Sequence, residues 1–181
     1  MSTETEIKIR IESALDFIGR VLSHGAVRVS DRSLEDNILF DFPDNRLNLA
    51  HCILRVRSVG GRGVLTYKGA PRPDGVFKSR EELETCIEDP ETTIEILERI
   101  GMRQGFRYQK YRQEFMFGGV YVAVDETPIG NYAEIEGTEE EILNLAGKLD
   151  IEESCFIRLS YYALYLDYCR ERGITPQSMI F

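Results

Sequence analysis

No stretch of this sequence approaches the run of about 20 apolar residues that a membrane-crossing helix needs. The opening residues are acidic and alternating, without the basic and apolar regions of a secretory leader. Neither a membrane partner nor export is therefore expected. Cysteine is scarce and scattered: Cys52, Cys86, Cys155 and Cys169 form no C-x-x-C pair. That argues against a structural zinc site and a disulfide scaffold, and it points to the reduced cytoplasm. Positive charge is also short, with 22 Lys and Arg against 31 Asp and Glu, a net charge of −9. A general nucleic-acid binder is not expected from that balance. An acidic protein still binds an anion where its basic residues converge or a divalent cation mediates. The two histidines, His24 and His51, stand alone. One follows a helix and one precedes a strand, which favours surface or structural roles. Repeats, low-complexity tracts and linkers are absent. The 181 residues read as one domain, 1–181, with a core at about 3–170 and a loosely held tail at 173–181.

What is present is alternation. From Glu4 to Glu12 charged and uncharged residues strictly alternate. Successive strand side chains point to opposite faces, so Glu4, Glu6, Lys8, Arg10 and Glu12 share one face and Thr5, Ile7, Ile9 and Ile11 the other. The pattern returns along the chain. Ile53–Val59 and Val64–Lys68 read as a hairpin around Gly60-Gly61-Arg62-Gly63, with Arg55 and Arg57 on one face and Thr66 and Lys68 on the same kind of polar face. After a loop at Gly69–Gly75, a strand from Lys78 to Glu88 carries Arg80, Glu82 and Glu84 at one parity. Its Leu83 and Cys86 differ in parity, which predicts a bent strand or one buried on both sides. Phe106–Phe117 carries Tyr108, Lys110, Arg112 and Glu114 together, turns at Gly118-Gly119 and returns through Asp125. A last strand carries Glu134 and Glu136. The stretch around Asp36, Ile38, Phe40 and Phe42 is extended but not cleanly patterned.

Four amphipathic helices are predicted between and after the strands. They start near Ser13, Pro90, Thr138 and Ser160, each with a capping residue or proline at its head. The stripe Tyr161, Leu164, Tyr165 and Tyr168 of the last is read as core packing. The apolar strand faces need covering by these helices, while rows of mixed charge occupy the opposite faces. A sheet closed into a barrel with its polar faces inward satisfies this; a flat sheet with one solvated face is the alternative. Buried charges are costly unless paired or hydrated, or met by a charged ligand and metal. Arg and Lys match phosphate oxygens, and carboxylates two residues apart suit a hard cation such as Mg²⁺ or Mn²⁺. An interior with both sets fits a metal-chelated polyphosphate.

These residues carry a resemblance. Glu4-x-Glu6-x-Lys8 resembles the E-x-E-x-K signature of the CYTH superfamily, the triphosphate tunnel metalloenzymes. Leu54-Arg55-Val56-Arg57 is similar to its L-R-x-R strand, Thr66-Tyr67-Lys68-Gly69 to T-x-K-G, and Arg80-Glu81-Glu82-Leu83-Glu84 to R-x-E-x-E. Lys110-Tyr111-Arg112 resembles K-x-R. Asp125, Gly130 and Glu134-Ile135-Glu136 resemble D…G…E-x-E, and Ser160-Tyr161 the S-Y that opens the closing helix. The match runs in order from residue 4 to about 168. It implies an α+β fold: a closed eight-stranded antiparallel tunnel with a charged interior and helices packed outside.

By position, the resemblance implies that Glu4, Glu6, Glu82, Asp125, Glu134 and Glu136 hold Mg²⁺ or Mn²⁺. It implies that Lys8, Arg55, Arg57, Lys68, Arg80, Lys110 and Arg112 grip a triphosphate, with Glu84 completing the charge network. Glu6, Lys8, Asp125 and Glu136 form the implied catalytic set. The substrate class is a small triphosphate: inorganic triphosphate, thiamine triphosphate or ATP. The form before the L-R-x-R strand, Asp36-Asn37-x-x-Phe40-Asp41, looks most like class IV adenylyl cyclases and their thiamine-triphosphatase relatives. Three functions stay open: a metal-dependent triphosphatase, an adenylyl cyclase, and a non-catalytic binder of polyphosphate or nucleotide. A monomer or homodimer is expected.

Overall fold

The computed structural model describes residues 2–73 and 75–181; Asp74, expected within the loop after the first hairpin, lies outside the described residues, as does Met1. Alternation dominates the architecture. The strands β1 (Ser2–Ile11), β2 (Val27–Asp41), β3 (Ile53–Val59), β4 (Arg62–Lys68), β5 (Lys78–Ile87), β6 (Arg103–Phe117), β7 (Val120–Thr127) and β8 (Gly130–Glu136) close into one barrel. Their order around it is β1-β5-β4-β3-β2-β6-β7-β8, every neighbour antiparallel. Residues directly opposite in an antiparallel pair face the same side. The register sets Lys8 against Glu134, Glu4 against Arg80, Lys68 against Glu82 and Arg112 against Asp125. The charged rows therefore meet inside, and the flat-sheet alternative is excluded.

Closure leaves the apolar rows outward, where helices cover them. Helices α1 (Ala14–Ser23) and α4 (Glu139–Lys148) lay Phe17, Val21, Ile142, Leu145 and Leu149 on Ile7, Ile9, Phe115, Val122 and Ile135. Each begins at the residue its sequence predicts. Ser13 accepts from the Asp16 N–H, and Thr138 forms a reciprocal capping box with Glu141. Helix α3 (Pro90–Arg99) packs Leu97 toward Phe40 and Val56. A short helix α2 (Arg46–Leu49), not anticipated from sequence, is held by the Asp41 carboxylate, which accepts from the Phe42, Leu47 and Asn48 N–H groups.

One hairpin and one strand depart from expectation in detail. The first turn is only Gly60-Gly61, at φ of 56° and 83°, values that suit glycine. Arg62 and Gly63 already belong to β4, and a Cβ on Gly63 would stand 2.5 Å from Ile87 Cγ1. On β5, the expected double burial is not found: Leu83 is 51% exposed and Cys86 is exposed.

The tail corrects a sequence expectation. Strand β6 extends beyond β7, leaving the edge around residues 107–109 without a β7 partner. After α5 (Tyr161–Arg172) and its left-handed cap at Gly173, the chain returns to that edge. The Met179 N–H donates to the Arg107 carbonyl at 3.0 Å, and the Gln109 N–H donates to the Met179 carbonyl at 2.8 Å. Met179 is buried among Phe106, Tyr108 and Tyr165. The tail is held because an open sheet edge leaves backbone donors and acceptors unpaired. Met179→Ala is expected to lower unfolding stability by about 2–3 kcal/mol in chemical denaturation; an unchanged midpoint would show the tail to be dispensable.

Candidate active site inside the barrel

The barrel encloses a cavity of about 990 Å³. Every residue assigned by resemblance to metal or triphosphate lines it except Asp125, which is fully buried behind Lys110 and Arg112. The strand order sorts the charges. β1, β5 and β8 are contiguous and contribute Glu4, Glu6, Glu82, Glu84, Glu134 and Glu136. β3, β2 and β6 form the opposite wall, with Arg55, Arg57, Lys110 and Arg112.

On the acidic wall most carboxylates have a cation. Lys68 Nζ lies 2.7 Å from Glu4 and 2.6 Å from Glu82, with Arg80 3.7 Å from Glu4. Lys78 lies 2.7 Å from Glu6, and Lys8 3.0 Å from Glu134. The carboxylates still outnumber the cations here. Glu82 is pushed up to about 8 by burial and its hydrogen bond with Glu4. Burial works the same way on Glu4, but the Glu82 hydrogen bond and the Lys68 charge outweigh it and hold Glu4 at about 2. Burial and the charges of Glu4, Glu6 and Glu134 push Glu136 up to about 7, against the opposing pull of Lys68.

The basic wall is the mirror case. Burial and the neighbouring Arg55 push Arg57 down, although Glu35 stands 3.3 Å away. The Nε atoms of Arg55 and Arg57 are buried without a hydrogen-bond partner, as are both amide atoms of Asn37; on the acidic wall the Nε of Arg80 is in the same state. Unmet buried donors of this kind are costly unless a ligand or water meets them. Lys110 and Arg112 are held in place by Asp125, which accepts from them at 2.9, 2.7 and 2.6 Å and from the Tyr161 hydroxyl at 2.6 Å. Arg112 also bonds Glu134, tying the two walls together.

Four inward residues escaped the sequence reading. Glu35 and Asn37 lie on β2 opposite Lys110 and Arg57, and Glu35 is held at about 2 because Lys110, Arg112 and Arg57 outweigh its burial. Lys78 precedes the motif on β5. Tyr161, read as packing, does pack, but its ring also lies 4.6 Å from Lys8 Nζ and 5.0 Å from Lys110 Nζ. Lys78 had a signal in parity, two positions before Arg80, and Tyr161 in its place at the head of the closing helix, whereas the irregular β2 offered no recognised inward residue from which to count to Glu35 and Asn37. His24 is exposed and His51 sits on the exposed rim of the cavity.

The donor set is all carboxylate oxygen, which fits a hard divalent cation, and the raised Glu82 and Glu136 show a wall with surplus negative charge. As arranged, no group of three or more His, Cys, Asp or Glu among the described residues is positioned to hold a metal ion, since lysines and arginines stand between them.

Comparison with known proteins agrees with this geometry. A Methanocaldococcus jannaschii protein provisionally named an adenylate cyclase is 27% identical over 172 residues, covering 89% of this chain and 97% of its own. A Vibrio parahaemolyticus structure with the same provisional name aligns at a TM-score of 0.79 and 20% identity, over 90% of this chain and 97% of that one. A Pyrococcus horikoshii structure aligns at 0.71 and 27% identity, over 91% and 99%. A Hippeastrum protein, described as an adenylyl cyclase candidate with a dominant triphosphatase activity, aligns at 0.67 and 20% identity, over 97% and 98%. The model of the CYTH domain matches residues 2–154, and with that match across most of its length the chain belongs to the CYTH domain family.

Proposed function

We propose that this protein binds a small triphosphate together with a divalent cation inside the barrel and hydrolyses it, working as one domain over residues 1–181. The observation that carries the reading is the pair of opposed imbalances. Carboxylates pushed up to about 8 and 7 line one wall, and arginines with unpartnered Nε atoms line the other. A cation relieves the first and a phosphate chain the second. Glu4, Glu6, Glu82, Glu134 and Glu136 would hold Mg²⁺ or Mn²⁺, which offsets phosphate charge and supplies an activated water at neutral pH. Arg55, Arg57, Lys110 and Arg112 receive the phosphate oxygens, with Lys8, Lys68 and Arg80 facing them from the other wall. Asp125 fixes Lys110 and Arg112 so that their donors stay aimed at the charge that develops on the transferring group. The triphosphatase activity described for the Hippeastrum protein supports this reading.

A second reading, cyclisation of ATP to cyclic AMP, has its own support. Phe106 and Tyr162 lie on the cavity lining with ring centroids 4.8 Å apart, and Tyr162 is 40% exposed. Such a surface can stack a flat heterocycle. The names of the Methanocaldococcus and Vibrio proteins lean the same way. The test is a product assay by ion chromatography and mass spectrometry, with tripolyphosphate, thiamine triphosphate or ATP and either Mg²⁺ or Mn²⁺. Orthophosphate from any of the three supports hydrolysis. Cyclic AMP with pyrophosphate overturns it in favour of the cyclase, and tight binding without turnover overturns both in favour of a binding module.

A further inference from the structure

We propose that Lys78 couples cation binding to triphosphate binding: it neutralises Glu6 until a divalent cation arrives, and then turns its ammonium group to the phosphates. The inference rests on the function proposed above. Lys78 lies outside every motif that marks the family in this sequence. It is the first residue of β5 and faces Glu6 across the β1–β5 pair, its Nζ 2.7 Å from Glu6 Oε1. Both side chains are about nine-tenths buried, and both line the cavity. Glu4 and Glu82 share Lys68, and Glu134 takes Lys8 and Arg112, all cations assigned to the triphosphate by resemblance. Glu6 instead pairs with Lys78, which has no such assignment.

A divalent cation and an ammonium group compete for one buried carboxylate. A divalent cation bound at the Glu6 oxygen that Lys78 now holds takes the place of the ammonium there, so the ammonium must move. Lysine has a flexible stem and can swing where arginine is stiffer. Burial works against the Lys78 charge, Glu6 is what holds it, and Lys8 and Arg80 repel it, so little keeps the ammonium in place once Glu6 is taken. A displaced buried ammonium needs an acceptor, and a phosphate chain along the cavity offers oxygens. Each ligand then favours the other, a linkage that must be reciprocal.

The test is titration calorimetry with Mn²⁺ alone, with tripolyphosphate alone, and with each in the presence of the other. Lys78→Met should bind Mn²⁺ alone about tenfold more tightly, because the competitor is gone, and tripolyphosphate in the presence of Mn²⁺ about tenfold more weakly. Lys78→Arg keeps the charge and should retain part of the coupling. Opposite shifts in the two affinities are not produced by a purely structural role. The inference is overturned if wild type shows coupling and Lys78→Met keeps it, or if both affinities weaken together with the melting temperature. If wild type binds no tripolyphosphate with Mn²⁺ present, both the inference and the functional reading beneath it fall.

Discussion

Asp125→Asn is expected to cost about 3–5 kcal/mol of stability, the range for removing one partner from a buried ion pair. The melting midpoint of a domain this size should fall by roughly 10 °C. Asp125 has no solvent exposure and accepts from Lys110, Arg112 and Tyr161. Asparagine is nearly isosteric, so packing persists, but Lys110 and Arg112 are left buried with one negative charge fewer. Glu134 and Glu35 remain nearby, at 4.0 and 3.5 Å from Lys110, and soften the loss without replacing it. Urea denaturation of the metal-free protein measures this directly. The experiment also decides between two jobs for this side chain. The resemblance makes Asp125 a metal ligand, whereas in the structure both its oxygens are taken by cations. Unchanged metal-free stability with lost Mn²⁺ binding would favour the ligand role. A large fall in stability would make Asp125 the anchor of the phosphate-gripping wall.

Legibility in the sequence follows the regularity of each strand. β1 alternates without interruption, so Glu4, Glu6 and Lys8 were readable as one face from a nine-residue window. β3, β4 and β8 are equally regular. β2 is not: its pairing with β6 shifts register between Arg28 and Ser30, Ser30 and Ser33, and Ile38 and Phe40. Each irregularity resets the two-residue period, which hid Glu35 and Asn37. Asp36, between them, has the opposite parity and pairs with Arg107 at 2.5 Å. The tail was misread for another reason. Its anchoring depends on how far β6 outruns β7, a property of two strand lengths that no local window contains. Tyr161 shows the limit of helical periodicity. Spacing places it on an apolar face, and only the position of the α5 N-terminus against the barrel puts its hydroxyl on Asp125. The cavity's charge balance was legible as a list of residues, whereas the sorting of acids and bases onto opposite walls required the strand order.

Glu136→Gln is expected to reduce turnover at least about a hundredfold, because a carboxylate of the cation-holding wall is lost. The same change should raise the stability of the metal-free protein at pH 8. The sign follows from the raised carboxyl. An ordinary glutamate ionises near 4.5, and burial with Glu4, Glu6 and Glu134 pushes Glu136 up to about 7. Between those values the folded protein holds a proton that the unfolded chain has released, so stability falls as pH rises through this window. Above about 7 the ionised group carries its full repulsion, and glutamine removes it. Below about 4.5 both states are protonated and the variant gains nothing. Glu136 is accessible to water in the cavity, so the gain is modest, but its direction is fixed. Glu82, pushed up to about 8, adds a parallel fall that the variant keeps. Melting curves at pH 5 and pH 8, without metal and with Mn²⁺, make the measurement. Wild type should be the less stable protein at pH 8 without metal and should gain more from Mn²⁺ than the variant. A variant that loses stability at pH 8 along with turnover would mean that Glu136 supports the fold, and that the surplus negative charge on this wall is not what draws the cation. A variant more stable and far less active would show that the wall holds mutual repulsion for a ligand to relieve, as functional sites do when binding strength is kept at the expense of the empty protein.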